Sequence, residues 1–405
     1  MKSELAGTSP LRRNLDHIES RGLGYAPTKA ARFSGHIDPE ALESAFQLLQ
    51  WRYPLLAARV LHVGDQQILE VPAGHVASIR VITGGSEQLW DYVGEPWDPA
   101  NGVAKVTLIA DDDGGYVALR ADHSIIDGRS WDVMFDDFWD IYARITEDEA
   151  LPEEPRGQLP LPPTHFIERA FGADALNDVR AIKGSTVRTR IHQGRIDFGP
   201  DETRAVRAAA RARDTTVHAM ICGAIMIAQR AFADPDPESL PMACLTVVDF
   251  RQLIDPPIKP TDTTCFVHTS KADIDVAPDS DAFELGQNIK TQLVRSIGAP
   301  RELLAFSATS YLASLDSGRV EDRLRVAYVT NTGVLPTARH PRNARIVDYE
   351  KGLLPESASI FPAYQVYTYG GRLTIRHLYP SDAFDAQQVT ALTEAIRKEL
   401  TRILP

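Results

Sequence analysis

Residues 104 to 142 constrain the fold of this chain more than any other stretch. Two β-prone runs, Ala104 to Ala110 and Tyr116 to Ala121, flank Asp111-Asp112-Asp113-Gly114-Gly115. Apolar runs around a short Asp/Gly loop predict a hairpin with a loop longer than two residues. The second run enters Asp122-His123-Ser124-Ile125-Ile126-Asp127-Gly128. Trp131, Met134, Phe135, Phe138, Ile141 and Tyr142 then recur at helical spacing. They predict an amphipathic helix with Asp132, Asp136 and Asp140 on its polar face. A histidine placed where a strand gives way to a helix is held rigidly on one side and open on the other. That placement suits a catalytic base.

The remaining segments alternate between strand and helix signals. Ala31 to Gly35 reads as a short strand. Asp38-Pro39-Glu40 supplies an N-cap acceptor, a first-turn Pro and an early carboxylate, so a helix starts there. Leu42, Ala45, Phe46 and Leu49 give it one apolar face, and Pro54 ends it. Leu55 to Val63, Gln67 to Val71 and Ser78 to Ile82 read as strands, and Glu87 to Gly94 as a short helix. Five Pro between Leu151 and Pro163 predict a linker. A second cycle follows, from a strand near Val187 to Phe198 through helices at 202–213 and 216–232 and a β-rich run at 242–249. Helix 283–297, strand 323–330 closed by Asn331-Thr332-Gly333, a hairpin around Gly370-Gly371 and a last helix through Ile403 complete it. The expected class is α+β, with one lobe over residues 1–165 and another over 180–405.

Bulk properties exclude several functions. Net charge is −12 over 405 residues, and no Lys/Arg run offers a basic face, so no nucleic acid is expected as a partner. Cys222, Cys244 and Cys265 are odd in number and far apart, and read as free thiols of a reducing cytoplasm. Met1 to Pro10 lacks the apolar core of a signal peptide. The longest apolar run, Ala219 to Ala228, is about half a membrane span. No membrane span is expected, and the location read from this is cytoplasmic.

Walker, HExxH, GxSxG and paired CxxC motifs do not occur, and Gly22-Leu23-Gly24 is too short for a dinucleotide fingerprint. His123 and Asp127, four residues apart, remain. On their own they fit a packed pair before a Gly turn as well as a catalytic one, and without a third ligand nearby no metal site is expected.

In context, Asp122-His123-Ser124-Ile125-Ile126-Asp127-Gly128 resembles the HHxxxDG motif of the CoA-dependent acyltransferase superfamily, which includes condensation domains and polyketide-associated acyltransferases. Ser34-Gly35-His36-Ile37-Asp38-Pro39-Glu40-Ala41-Leu42 with Tyr53-Pro54-Leu55-Leu56 resembles the family's opening strand-helix-strand. Trp97-Asp98-Pro99 resembles the segment ahead of the motif hairpin. Val247-Val248-Asp249-Phe250-Arg251 and Thr330-Asn331-Thr332-Gly333 resemble its second-lobe strand and later Asn-Gly turn. The polyketide-associated type is the nearest in flavour.

The resemblance implies two chloramphenicol-acetyltransferase-like lobes forming a pseudo-dimer with a central substrate tunnel. It implies an acyl donor, CoA or a phosphopantetheine thioester on an acyl or peptidyl carrier protein, and an alcohol or amine acceptor. No permanently bound cofactor is expected. His123 is the implied general base, and Asp127 and Arg251 are implied as a structural pair. Gly128 and Asn331 are oxyanion or turn candidates by position. Arg339, Arg342 and Arg345 are candidates for docking the donor's phosphate. A condensation-type amide synthase, an epimerase and a non-catalytic carrier-docking protein share the pattern. Asp122 stands where the family has its first His. Neighbours on a strand point to opposite faces, so no direct contact between Asp122 and His123 is expected.

Overall fold

The computed structural model describes residues 9–402 except Val76, Pro152, Glu154, Lys183, Thr186, Val187, 234–238, 316–318, Ala338 and Ala358. The start of the second-cycle strand at Val187 and the end of the last helix at Ile403 therefore lie outside the described residues. The chain forms two compact units. The first comprises residues 1–172, 254–266 and 336–355, and the second 173–253, 267–335 and 356–405. The chain first leaves unit 1 after Gly172, past the Pro-rich segment. Unit 1 then takes back two later segments, which a reading of contiguous lobes does not contain.

Unit 1 is built on a five-stranded sheet. Its strand order is Ala344–Leu353, Thr28–Gly35, Gly114–Ala121, Ala104–Ala110, Arg80–Thr83. Only the last pair is parallel. The hairpin pairs Ala104 with Ala121 and Ala110 with Gly115. Gly115 has φ +157°, and an added Cβ there would lie 2.0 Å from the Ile109 carbonyl oxygen. Helix Pro39–Arg52 starts at Asp38, whose carboxylate accepts from the Glu40 and Ala41 amides. It packs against helix Gly128–Thr146, with Phe46 edge-on to Phe138 at 6.4 Å. On the sheet, Leu89, Tyr92 and Val93 of helix Ser86–Gly94 cluster with Ala30, Ile109, Ala118 and Leu353. A smaller antiparallel sheet orders Leu11–Asn14, Gln66–Val71, Arg59–Val63. The expected strand from Leu55 starts later, because Pro54–Ala57 is a 3₁₀ turn, which the fixed φ of Pro54 favours.

Unit 2 holds a seven-stranded sheet. Its order is Val267–Val276, Leu240–Asp249, Val326–Val334, Ala363–Tyr369, Arg372–Pro380, Thr189–Phe198, Glu356–Ser357. Helix Val217–Ala233 is buried along most of its length. It packs with helices Ala282–Ile297 and Ala386–Arg402 against this sheet. Gly370 and Gly371 both have positive φ and make the two-residue turn read from the sequence. Asn331-Thr332-Gly333 does not close its strand. The strand continues to Val334 through a bulge, with Gly333 at φ +75°. Among the described residues no single helix is long and apolar enough to cross a membrane.

Candidate active site

The motif loop in unit 1 is fixed on every side that can be traced. Strand Gly114–Ala121 delivers it, and helix Gly128–Thr146 leaves it. The Asp122 amide donates to the Val103 carbonyl at 2.8 Å, and the His123 amide to the Tyr25 carbonyl at 2.7 Å. The Tyr25 and His123 rings stack, with centroids 5.8 Å apart. An added Cβ on Gly22 would meet the His123 carbonyl carbon at 2.6 Å and the Ser124 nitrogen at 2.8 Å. Gly22 is thus small because the N-terminal segment passes directly against the histidine's backbone.

Asp122 supplies the brace. Its Oδ2 accepts from the Gly24 amide and the Trp97 indole, both at 2.9 Å. Its Oδ1 accepts from the Ser124 amide at 3.1 Å and the Ser124 hydroxyl at 2.6 Å. Burial pushes its carboxyl above the usual carboxylate range, and the bonds from Ser124, Trp97 and Gly24 act against that shift. Four donors converge on a group that only accepts when ionised. A neutral imidazole, the residue that the HHxxxDG motif has at this position, has one acceptor nitrogen. Asp122→Asn should therefore destabilise the protein by about 1–3 kcal/mol, since its NH2 would face two donors. Asp122→His should do no better. Thermal unfolding checks both, and unchanged stability would remove Asp122 from this role.

Asp127 holds the other end. Its Oδ1 caps the helix by accepting from the Arg129 and Ser130 amides at 3.0 and 3.1 Å. Its Oδ2 accepts from the Phe266 amide at 2.9 Å. Asp127 therefore ties the motif to residues 254–266, a segment to which the sequence reading gave no role. Thr264 Oγ1 donates to Glu19 Oε1 at 2.6 Å, and Thr263 Oγ1 to the Leu161 carbonyl at 2.8 Å. Between these anchors sits Cys265, a partly exposed free thiol. Burial pulls the imidazole's pKa down. Cys265 nearby, a bond at the histidine's own backbone and the Asp127 charge outweigh it, lifting the pKa to about 9. Cys265, Tyr25, Gly22 and Trp97 were not read as site residues from the sequence. Only the resemblance of Trp97-Asp98-Pro99 pointed to one of them.

The Gly128 amide begins a 19-residue helix and lies outside Asp127's cap. Its position suits an oxyanion donor, because a helix N-terminus carries partial positive charge. Lys351 bonds the Gly128 carbonyl at 3.3 Å and, with Lys29, pairs with Asp132. Asp132 is 2 % exposed, so it belongs to the interior and not to the polar face the sequence suggested.

Three candidates lie apart from this cluster within unit 1. Arg339 is engaged by Glu147 and Glu149. Arg342 and Arg345 are exposed, with Glu147 at 4.0 Å from Arg342. Two more belong to unit 2. Arg251 is fully buried, and its Nη1 donates to Asp249 Oδ1 at 3.1 Å. Asn331 Oδ1 accepts from the Gly333 amide at 2.9 Å, which builds the bulge. No group of three or more His, Cys, Asp or Glu arranged to hold a metal occurs among the described residues.

Residues 188–378 match the family described as phthiocerol/phthiodiolone dimycocerosyl transferase C-terminus. A phthiocerol/phthiodiolone dimycocerosyl transferase of Mycobacterium tuberculosis is 21% identical over 391 residues, covering 90% of this chain and 91% of that one. The solved structure of polyketide synthase associated protein 5 from the same organism superposes with a TM-score of 0.78 at 21% identity, covering 96% of this chain and 97% of that one. The first condensation domain of the calcium-dependent antibiotic synthetase gives 0.70 at 13% identity, covering 97% and 96%. Both solved likenesses concern the fold, which is the α+β architecture expected from the sequence.

Proposed function

We propose that this chain, a member of the condensation-domain-like acyltransferase superfamily, moves an acyl group from a thioester to an alcohol or amine, with His123 as general base. The observation that carries this reading is the placement of His123. Its backbone is clamped by Gly22 and Tyr25, its ring stacks on that of Tyr25, and its loop leads directly into the long helix Gly128–Thr146. A hydroxyl is a poor nucleophile until its proton leaves, and an imidazole can take that proton and return it to the departing thiolate. The Gly128 amide is the donor we assign to the oxyanion of the tetrahedral intermediate. Asp127 and Arg251 serve structure and not proton transfer. Asn331 stays a second oxyanion candidate through its amide NH2, its Oδ1 being used by Gly333. For the donor, CoA or a carrier-bound phosphopantetheine, we assign Arg342 and Arg345 to the phosphate, since Arg339 is already held by carboxylates. By analogy with the relatives' names, the substrates belong to polyketide, lipid or peptide natural-product chemistry.

The deciding experiment follows free thiol released from an acyl-CoA or acyl-carrier thioester, with and without alcohols and amines. Acceptor-dependent release with an ester product supports the proposal, and an amide product favours the condensation-type variant. Exchange of an α-proton without thiol release would identify an epimerase, and carrier binding with neither reaction a docking protein. Because the base acts when neutral, kcat/KM should rise with pH until His123 loses its proton, at about 9. A rate that falls from pH 7 to 9 with intact protein would argue against a base at this position.

A further inference from the structure

The bonds that fix the backbone of His123 do not fix its ring. The His123 amide donates to the Tyr25 carbonyl at 2.7 Å, Asp122 holds the Ser124 amide, and Gly22 closes on the His123 carbonyl. All of these act on main-chain atoms. The outer torsion of a histidine side chain has a broad, two-fold preference, so a ring on a rigid backbone is still free to swing. A contact with the ring itself has to choose its plane. Tyr25 makes such a contact. Its ring lies 5.8 Å from the imidazole, centroid to centroid, with the two planes 24° apart. That spacing is within the range of stacked aromatic pairs. Both residues are partly exposed, so the stack is not simply a piece of the buried core.

We propose that Tyr25 is a positioning residue for acyl transfer, whose ring stacks on the His123 imidazole and holds it in the orientation from which it takes the acceptor's proton. The proposal deepens the reading of His123 as general base and rests on it. Tyr25 can serve as a fixed wall because its own backbone is tied on both sides. Its amide donates to the Gly22 carbonyl at 3.1 Å, closing a turn in which Gly24 has φ +77°. The Gly24 amide donates to Asp122 Oδ2 at 2.9 Å. Just beyond Tyr25, the Pro27 carbonyl accepts from the Ala121 amide at 3.3 Å. Residues 22–27 therefore form a strap bonded along the motif. The strap's upstream end is anchored as well. Asp16 caps helix His17–Ser20, Glu19 pairs with Arg13, and Ser20 Oγ donates to Gln67 Oε1 at 2.8 Å. A Tyr25 ring carried on this strap cannot follow the imidazole if the imidazole swings. An aliphatic residue in its place would keep every main-chain bond of the strap and offer no flat face. Proton transfer needs the base in near-attack geometry, and a misplacement of about 1 Å costs about 10²-fold in rate. The proposal uses the Tyr25 ring and not its hydroxyl.

The test measures kcat and donor KM for acyl transfer in the wild type, Tyr25→Phe, Tyr25→Leu, His123→Ala and the double variant Tyr25→Leu/His123→Ala. Tyr25→Leu should lose about 10- to 100-fold in kcat with donor KM little changed, because a swung base loses geometry and not binding. Tyr25→Phe keeps the flat face and should retain most of the rate. The double variant separates positioning from general support. If Tyr25 works only through the imidazole, adding Tyr25→Leu to His123→Ala should cost nothing further. A further loss as large as that of Tyr25→Leu alone would make Tyr25 a support of the whole site and overturn the proposal. Wild-type kcat in Tyr25→Leu overturns it too, as does a Tyr25→Phe as slow as Tyr25→Leu, since the hydroxyl would then carry the effect. A measurement on the wild type needs neither Tyr25 variant to fold. With ring-labelled histidine, and His123→Ala to assign the signal, a nuclear Overhauser effect should link the ring protons of Tyr25 and His123, and its absence overturns the stack. Failure of the underlying reaction leaves a different mark. Full activity in His123→Ala would remove the general base itself, whereas an inactive His123→Ala beside a fully active Tyr25→Leu would remove only the role of Tyr25.

Discussion

His123→Ala lowers acyl transfer by about 10²–10⁴-fold, the range for loss of a positioned general base. The loss stops short of complete because the groups around the ring survive the substitution. The Gly128 amide, the donor proposed for the oxyanion, is untouched by the substitution, and electrostatic stabilisation of an oxyanion does not require the base. Folding should be little affected, since what fixes the loop is mostly backbone. The His123 amide bond to Tyr25, the Gly22 contact and the Asp122 brace all remain in the alanine variant. The stacked Tyr25 ring loses a neighbour, a minor cost beside these. Single-turnover rates at pH 9, where the wild-type imidazole is half neutral, give the cleanest comparison. Near-wild-type turnover by a variant with an unaltered melting curve would end the case for His123 as the base.

What the sequence made legible is what short-range rules govern. The helix start at Asp38-Pro39, the Asp/Gly hairpin before the motif and the Gly370-Gly371 turn depend on residues within a few positions of one another. Each appears where the pattern predicts it. The strand Val267–Val276 was missed because Lys271, Asp273 and Asp275 interrupt its apolar signal, although it pairs with Leu240–Asp249 along its whole length. The strand Ala344–Leu353 was missed for a related reason. It joins Thr28–Gly35, some three hundred residues earlier, and nothing local marks that partner. The site divides in the same way. His123 and Asp127 are visible as a motif, whereas Gly24 and Trp97 meet Asp122 across separations of 98 and 25 residues. Phe266 reaches Asp127 across 139. Periodicity ranks side chains by polarity, so it placed Asp132 outside. The structure places it inside because two lysines, 103 and 219 residues away, compensate its charge.

Asp132→Ala should destabilise the protein by about 3–5 kcal/mol, the cost of leaving buried charge without its counterion. The wild-type cluster is two ammonium groups on one carboxylate. Lys29 Nζ lies 2.8 Å from Asp132 Oδ1, and Lys351 Nζ lies 2.6 and 2.7 Å from its two oxygens. Relative exposures of the three side chains are 3 %, 8 % and 2 % for Lys29, Lys351 and Asp132. Lys29 has further support from the rings of Phe135 and Tyr349, at 4.9 and 5.1 Å. Lys351 has less. Burial and the charge of Lys29 pull it down while Asp132 holds it up, and it settles at about 8. Without Asp132 it falls further, so the folded variant must shed a proton that the unfolded chain keeps. Below the unfolded lysine value, about 10.4, the unfolded chain then binds more protons, and stability rises with pH. The wild type gains in the same way once the pH passes about 8, so the deficit relative to it should be largest near pH 6, shrink up to about pH 8 and stay level above that. A second change, Lys351→Met, should restore part of the loss by removing the stranded charge, a non-additivity expected of residues in contact. The single variant should also lose activity at pH 7, because Lys351 bonds the Gly128 carbonyl in the first turn of the helix that follows His123. Urea unfolding of wild type, Asp132→Ala and Asp132→Ala/Lys351→Met at pH 6 and pH 9.5 tests the set. A pH-independent deficit, or a double variant weaker by the full sum of its parts, would show that the cluster is not held by the charge balance described.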